Sequence, residues 1–189
     1  SRSVAAAIRT ALLTAEPLRK VMIVRALVRD WRLGRLDFVF DTPMPDSPAR
    51  PEKPELLPPN RMPRRGRGGS LKGRIALWHA LAHIEFVAID LALDMAGRFG
   101  VDMGEQFVGD FLSVAADEAL HFAVLQRYLR QLGADYGDFP AHDGLWEAAY
   151  ATRHDIDARL AVVPMVLEAR GLDVTPPMLE RVEAIGDHK

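Results

Sequence analysis

The chain has 189 residues, 49% of them hydrophobic and 26% charged, which is typical of an ordinary globular domain and excludes a largely disordered chain. It contains no Cys, which excludes a disulfide framework, a Cys-ligated zinc or iron–sulfur site and a Cys nucleophile. The formal net charge is −2, but residues 1–74 carry 16 basic and 7 acidic residues, whereas residues 75–189 carry 8 basic and 19 acidic residues.

Residues 1–41 are predicted to form a helical arm that is rich in basic residues. Apolar residues recur at helical spacing on both sides of Pro17. Proline is tolerated in the first turn of a helix and disrupts its interior. We therefore expect two helices that are divided at Pro17. No stretch of the chain shows the alternation expected of a strand.

Residues 42–70 form a connector with eight prolines, which excludes a long helix or a central strand and favours an extended course over the surface. The segment from Arg61 to Arg74 has six basic residues and no acidic residue. Such a segment could bind the phosphates of a nucleic acid. It could equally be a solvated linker, and it lacks the interleaved aromatic residues that stack on bases.

Residues 71–189 are predicted to form an all-α domain, a bundle of four helices. Its most apolar stretch, 75–93, does not predict a membrane span, because it contains His79, His83, Glu85 and Asp90. The predicted helices are Leu71–Phe99, ending near Gly100; Glu105–Leu132, ending at Gly133; Leu145–Arg170, with a kink at Pro164; and a fourth that starts at Pro176.

Glu118 and His121 interrupt the apolar face of the second predicted helix. They are three residues apart and therefore point to the same side of the helix. A carboxylate and an imidazole that are buried together need a partner, and a metal ion is one. Glu-x-x-His on a bundle helix is the arrangement of di-iron and di-manganese carboxylate proteins. A four-residue pattern also occurs by chance in helical proteins, so it is weak by itself.

Glu85 lies on an apolar face of the first predicted helix. It is 14 residues before the predicted end of that helix, and Glu118 is 13 residues after the start of the next one. If the two helices are antiparallel, both carboxylates lie roughly 20 Å from the connecting turn, at a rise of about 1.5 Å per residue. This agreement favours a shared metal site. The alternative is a buried Glu paired with an Arg.

The third predicted helix offers Glu168 as a further ligand, because apolar residues precede it at helical spacing. Asp155 and Asp157 are alternative ligands. His79 and His83 share a different face from Glu85, and we expect them to be hydrogen-bonded core groups or groups that orient a metal ligand, and not ligands themselves. Asp117 either orients a ligand histidine or is a surface acid.

Several strings occur in the order HALAHIEFVAIDLALD, DEALHF, YGDFPAHDGLW and LEARGLDVTP. Together with RPEKPELLPP in the connector, they resemble an uncharacterised ferritin-like family, known only as a domain of unknown function. The resemblance covers nearly all of the chain, and several ordered motifs make it far more specific than one Glu-x-x-His. It implies that the bundle is ferritin-like.

The ferritin-like superfamily holds its metals with Glu, then Glu-x-x-His, then Glu, then a second Glu-x-x-His. By resemblance, Glu85 matches the first Glu, Glu118 and His121 match the first Glu-x-x-His, and Glu168 matches the third-helix Glu. The resemblance implies two iron ions, with manganese as the alternative, and no organic cofactor. The second Glu-x-x-His is absent here, because the sequence stops at Lys189, and we expect the fourth helix to be truncated.

The motif order is also similar to that of di-iron hydroxylases that act on demethoxyubiquinone and of tRNA-hydroxylating di-iron enzymes. We therefore expect a di-iron carboxylate oxygenase or hydroxylase whose substrate is an unknown small molecule or a modified RNA. The alternatives are a non-enzymatic metal-binding or structural bundle, and a nucleic-acid-binding protein that uses residues 61–74, because a fold does not choose its function. The lack of Cys fits a reducing compartment, so we expect a cytoplasmic protein, without membrane contact, that is able to form oligomers.

Overall fold

A computed structural model describes residues 2–63 and 70–161 of the chain. These residues are mostly helical, as the sequence predicts. The helices and strands in chain order are β1 (Arg2–Ser3), α1 (Val4–Leu12), α2 (Pro17–Arg32), β2 (Leu36–Asp37), a 3-10 turn (Pro59–Arg61), α3 (Leu71–Met103), α4 (Glu105–Gln131), α5 (Gly144–Ala151) and α6 (Ile156–Leu160).

The N-terminal arm contains the two helices that its periodicity predicts. The Ser3 hydroxyl accepts a hydrogen bond from the backbone N–H of Ala6 and caps α1. Pro17 is the first residue of α2, where its missing N–H costs nothing, and the Glu16 carboxylate accepts from two backbone N–H groups of the first turn. The predicted division at Pro17 is confirmed.

A short parallel ladder in the arm was not expected. Arg2 and Ser3 of β1 pair with Leu36 and Asp37 of β2. Two residues are too few to show the alternation by which a strand is recognised in a sequence. The ladder brings the two ends of the arm together.

The predicted end of the first bundle helix near Gly100 is wrong, because α3 continues to Met103. A Cβ at Gly100 would lie 2.5 Å from a methyl carbon of Val108 and 2.9 Å from the Phe40 ring, so this glycine serves close packing. The helix ends instead before Gly104, whose φ of +93° is the left-handed conformation typical of a helix C-terminus.

Helices α3 and α4 are antiparallel. Glu85 of α3 contacts His121 of α4. Seven residues before Glu85, Trp78 packs edge-on against Tyr128, which lies seven residues after His121, with ring centroids 5.0 Å apart. Equal steps in opposite directions are what antiparallel helices produce. This is the arrangement that the short turn at Gly104 predicts.

The continuous helix predicted over Leu145–Arg170 is wrong within the described residues. The Thr152 hydroxyl donates to the carbonyl of Ala148 at 2.9 Å, and α5 ends there. The Asp155 carboxylate then accepts from two backbone N–H groups and caps the start of α6. Such local side-chain hydrogen bonds compete with helix propagation. The rest of this predicted helix and the fourth one, from residue 162 onward, lie outside the described residues.

Helix α3 is long and apolar enough to cross a membrane, since its most apolar window has a mean hydropathy of 1.5. However, 72% of that window is buried within the protein. The core helix of a globular protein has the same properties, so they are weak support for a membrane span.

Close packing divides the chain into two units, Ser1–Pro51 with Phe86–Leu120 and Glu52–Glu85 with His121–Lys189. The arm predicted from the sequence therefore shares its unit with one part of each long helix. Each unit has a buried polar network among its described residues.

The first unit contains a buried ion pair that joins α2 to α3. The side chains of Lys20 and Asp90 are both 0% exposed, and Lys20 Nζ lies 2.6 Å from Asp90 Oδ1. The Lys20 ammonium also donates to the carbonyls of Leu12 and Ala49, and Arg50 Nη1 lies 3.4 Å from the other Asp90 oxygen. Burial lowers the pKa of Lys20, and the Asp90 carboxylate opposes this shift.

We predict that Lys20→Met lowers the free energy of unfolding by about 3 kcal/mol, because the Asp90 carboxylate would lose its closest compensating charge. Urea denaturation measures the loss. Lys20→Met/Asp90→Asn should recover part of it, since no buried anion is left and the amide oxygen can still accept from Arg50. A double variant as unstable as the sum of both single variants would contradict this account.

We predict that Gly100→Ala destabilises the protein by about 1–3 kcal/mol, because the new methyl overlaps Val108 and Phe40. Gly109→Ala is the matched control, since its Cβ would meet only Trp31 Nε1, at 3.2 Å. Gly109→Ala should lower the free energy of unfolding clearly less, because it creates little overlap and alanine favours a helix more than glycine does. Equal urea midpoints for the two variants would show that Gly100 is not a packing requirement.

Candidate metal centre

Glu85 and His121 meet where α3 and α4 pack against each other. The Glu85 side chain is 2% exposed, and its Oε2 lies 3.5 Å from Nδ1 of His121. The His121 side chain is 27% exposed. The antiparallel register puts these two residues opposite each other.

Glu118 completes a cluster with these two residues. It lies one helical turn before His121 on α4 and is also buried. One possible ligand atom from each of Glu85, Glu118 and His121 lies within 4.8 Å of the other two. The structure thus brings together the first Glu and the Glu-x-x-His that were predicted from the sequence.

Buried apolar residues flank the three residues of the cluster in sequence. Phe86, Ala119 and Phe122, next to the three polar residues in sequence, are each 0% exposed. Burial and mutual repulsion disfavour the charged forms of two neighbouring carboxylates unless positive charge is nearby. A protonated imidazole offsets one charge. A divalent cation offsets both, and carboxylate with imidazole is a donor set that suits iron and manganese.

The described residues of the third predicted helix add no ligand to this cluster. Asp155 and Asp157 are exposed, and the Asp155 carboxylate is used to cap α6. Glu168 lies outside the described residues. Asp117 is exposed, as the surface-acid alternative predicts.

His83 is a hydrogen-bonded core residue, as expected. Its Nε2 lies 3.1 Å from the carbonyl oxygen of His142, so this nitrogen carries the proton. Its Nδ1 then accepts from the Tyr136 hydroxyl, at 2.9 Å. Both ring nitrogens are engaged, which leaves no lone pair for a metal.

His79 is a neutral core residue of the same network. Its Nε2 accepts from the backbone N–H of Gly137 at 2.9 Å, so the proton is on Nδ1. Its ring stacks on Tyr136 and meets Phe139 edge-on. Burial lowers the pKa of His79 to about 4, an effect that Asp138 partly opposes. The prediction of a hydrogen-bonded core histidine is confirmed here too.

The importance of the segment YGDFPAHDG for these histidines was not predicted. Tyr136, Gly137 and His142 come from the loop after α4 and contact α3. Because α3 and α4 are antiparallel, the chain that leaves α4 returns to the start of α3. Aromatic and His residues in that loop, opposite two histidines near the start of α3, were the available signal.

The basic segment 61–74 is only partly described. Arg64, Arg65 and Arg67 lie outside the described residues, whereas Lys72 and Arg74 are exposed in the first turn of α3. Binding of nucleic acid through this segment stays a prediction.

Residues 13–189 match the family described as "Protein of unknown function (DUF455)". The chain belongs to this family. It is also 46% identical over 186 residues to an "Uncharacterized protein" of Haemophilus influenzae, in a match that covers 93% of the chain and 64% of that relative. The chain therefore spans less than two thirds of the length of this relative. No solved structure matches the chain.

We predict that His79 makes the stability of the fold sensitive to acid. Between pH 6.5 and pH 4 the unfolded chain binds a proton at this residue that the folded chain does not bind. Stability should therefore fall as the pH is lowered through this window, by at most about 3 kcal/mol.

Urea denaturation of wild type and His79→Gln at pH 4, 5 and 6.5 tests this prediction, because Gln can still accept from Gly137. The stability difference between the two proteins should shift in favour of the variant as the pH falls. His154→Gln, which replaces an exposed imidazole, is the control. Parallel pH profiles for wild type and His79→Gln would refute the prediction.

Proposed function

We propose that this protein is a ferritin-like metal-binding protein that holds iron, or alternatively manganese, with Glu85, Glu118 and His121. The observation that carries the proposal is the convergence of two buried carboxylates and an imidazole from two antiparallel helices. Carboxylate oxygens and an imidazole nitrogen are a donor set that suits iron and manganese, which supports a metal ion at this place.

Our proposal extends to a site for two iron ions. Three ligands suit one ion, so a second ion requires Glu168 and further donors. Glu168 lies outside the described residues, and the sequence contains a single Glu-x-x-His, at Glu118 and His121. The number of ions per chain is therefore the quantity to measure first.

We further propose that the site serves an oxygenase or hydroxylase reaction. Bound ferrous iron would supply the electrons that activate O₂. The residues of this chain would provide the rest of the site: Glu85 and Glu118 neutralise the cation, and the neighbouring phenylalanines exclude water. The partly exposed side of His121 gives O₂ and a substrate a route of entry. The substrate would be a small molecule or a modified RNA.

Anaerobic loading with Fe(II), followed by removal of unbound metal and elemental analysis, tests the metal site. We predict at least one iron per wild-type chain and at least a tenfold loss of affinity in Glu118→Gln, since a directly bound ligand should matter at least as much as its outer hydrogen-bond partners. Asp117→Asn is the matched control, because it removes an exposed carboxylate from the adjacent position. It should keep wild-type occupancy.

Circular dichroism must show that Glu118→Gln is folded. Full iron occupancy in this variant would disprove the assignment of Glu118. An equal loss in Asp117→Asn would show that general negative charge, and not the cluster, attracts the metal. Oxygen uptake by the iron-loaded protein with a reductant tests the oxygenase proposal separately. Bound iron that does not consume O₂ would leave a metal-binding bundle without enzymatic activity.

A further inference from the structure

A cavity of about 650 Å³ lies in the second unit, beside the first turns of α3. Its described walls come from residues 59–63 of the connector, residues 70–84 and residues 139–145. This volume is within the range of small-molecule binding sites. The three residues of the candidate metal centre do not line it, so the cavity is a separate feature.

Several of the described polar side chains that line the cavity can donate hydrogen bonds. Ser70 and His83 also line it, but Ser70 Oγ accepts from the N–H of Gly73 and both His83 ring nitrogens are engaged. His79 has its proton on Nδ1, because its Nε2 accepts from Gly137. His142 has its proton on Nε2, because its Nδ1 accepts from the N–H of Gly144 at 3.3 Å. Lys72 adds an ammonium group. No Asp or Glu is among the described residues that line the cavity.

The remaining walls are mostly apolar, with Met62, Ile84, Phe139 and Leu145 as the largest side chains. An apolar body would be held by these side chains, since burial of apolar surface is the main favourable contribution. A sugar would lose more hydrogen bonds to water than the few polar side chains of the described walls can replace. A cation would be repelled by Lys72. The chemistry of the walls thus selects an apolar molecule with one anionic or acceptor group.

We propose that this cavity is a binding site for an apolar monocarboxylate. The carboxylate lies towards Lys72 and the imidazole N–H groups, and the apolar body lies against the side chains from the connector and the 139–145 loop. A neutral His79 suits this role, because its N–H can donate to an oxygen without needing a counter-ion of its own. The proposal does not depend on the metal.

Isothermal titration calorimetry of the purified full chain with octanoate, 1-octanol and octylammonium tests the proposal. The three probes share one alkyl chain and differ in charge. We predict saturable binding of octanoate, at least tenfold tighter than that of 1-octanol, and no measurable binding of octylammonium. Non-saturable binding of octanoate, or equal affinity for the alcohol, would overturn the proposal.

Three variants locate the binding site. Lys72→Met should lower the affinity for octanoate at least fivefold and leave that for 1-octanol unchanged. Arg74→Met removes another exposed cation of the same turn that does not line the cavity, and it should bind as wild type does. Ala76→Leu places bulk in the cavity wall and should weaken octanoate and 1-octanol alike.

Equal effects of Lys72→Met and Arg74→Met would show non-specific attraction of anions and refute the site. Unchanged binding in Ala76→Leu would place the probe elsewhere on the protein. Glu118→Gln should bind octanoate as wild type does, so failure of the metal proposal and failure of this one give different results.

Discussion

The register between α3 and α4 is the constraint on which the candidate metal centre depends. Gly104 adopts a positive φ and reverses the chain within one residue between two helices of 33 and 27 residues. From there each turn of α3 has a fixed partner on α4, so that Glu85 reaches His121 and Trp78 reaches Tyr128. A shift of one residue would rotate a side chain by about 100° and separate the carboxylate from the imidazole.

Three of the buried polar groups among the described residues differ in how they are satisfied. Lys20 and Asp90 compensate each other as an ion pair, with Arg50 beside them. The histidines at the start of α3 are satisfied by hydrogen bonds to the loop after α4. The Glu85–Glu118–His121 cluster differs, because it has two acids and one base within a short distance. The convergence of these donors, a set that suits a divalent cation, is the reason to propose a metal ion there.

The errors of sequence reasoning all concern competition between local signals and packing. Gly100 carries the usual signal of a helix end, yet α3 continues because Val108 and Phe40 fill the space that a side chain would need. The true end is at Gly104. The third predicted helix, Leu145–Arg170, includes Thr152 and Asp155. Their side chains instead bond to the backbone and divide it into α5 and α6.

The sequence by itself predicted the helical class and the division of the arm at Pro17, because the 3.6-residue periodicity and the position of a proline are local properties of the chain. It also singled out Glu85, Glu118 and His121, since they lie on apolar helix faces, but the distance of Glu85 from the turn was wrong because α3 continues to Met103. Only the tertiary structure decided which residues surround His79 and His83, how Lys20 finds Asp90 seventy residues away, and where the cavity beside α3 lies. Those features join segments that are distant in sequence, and no local pattern encodes the packing that brings them together.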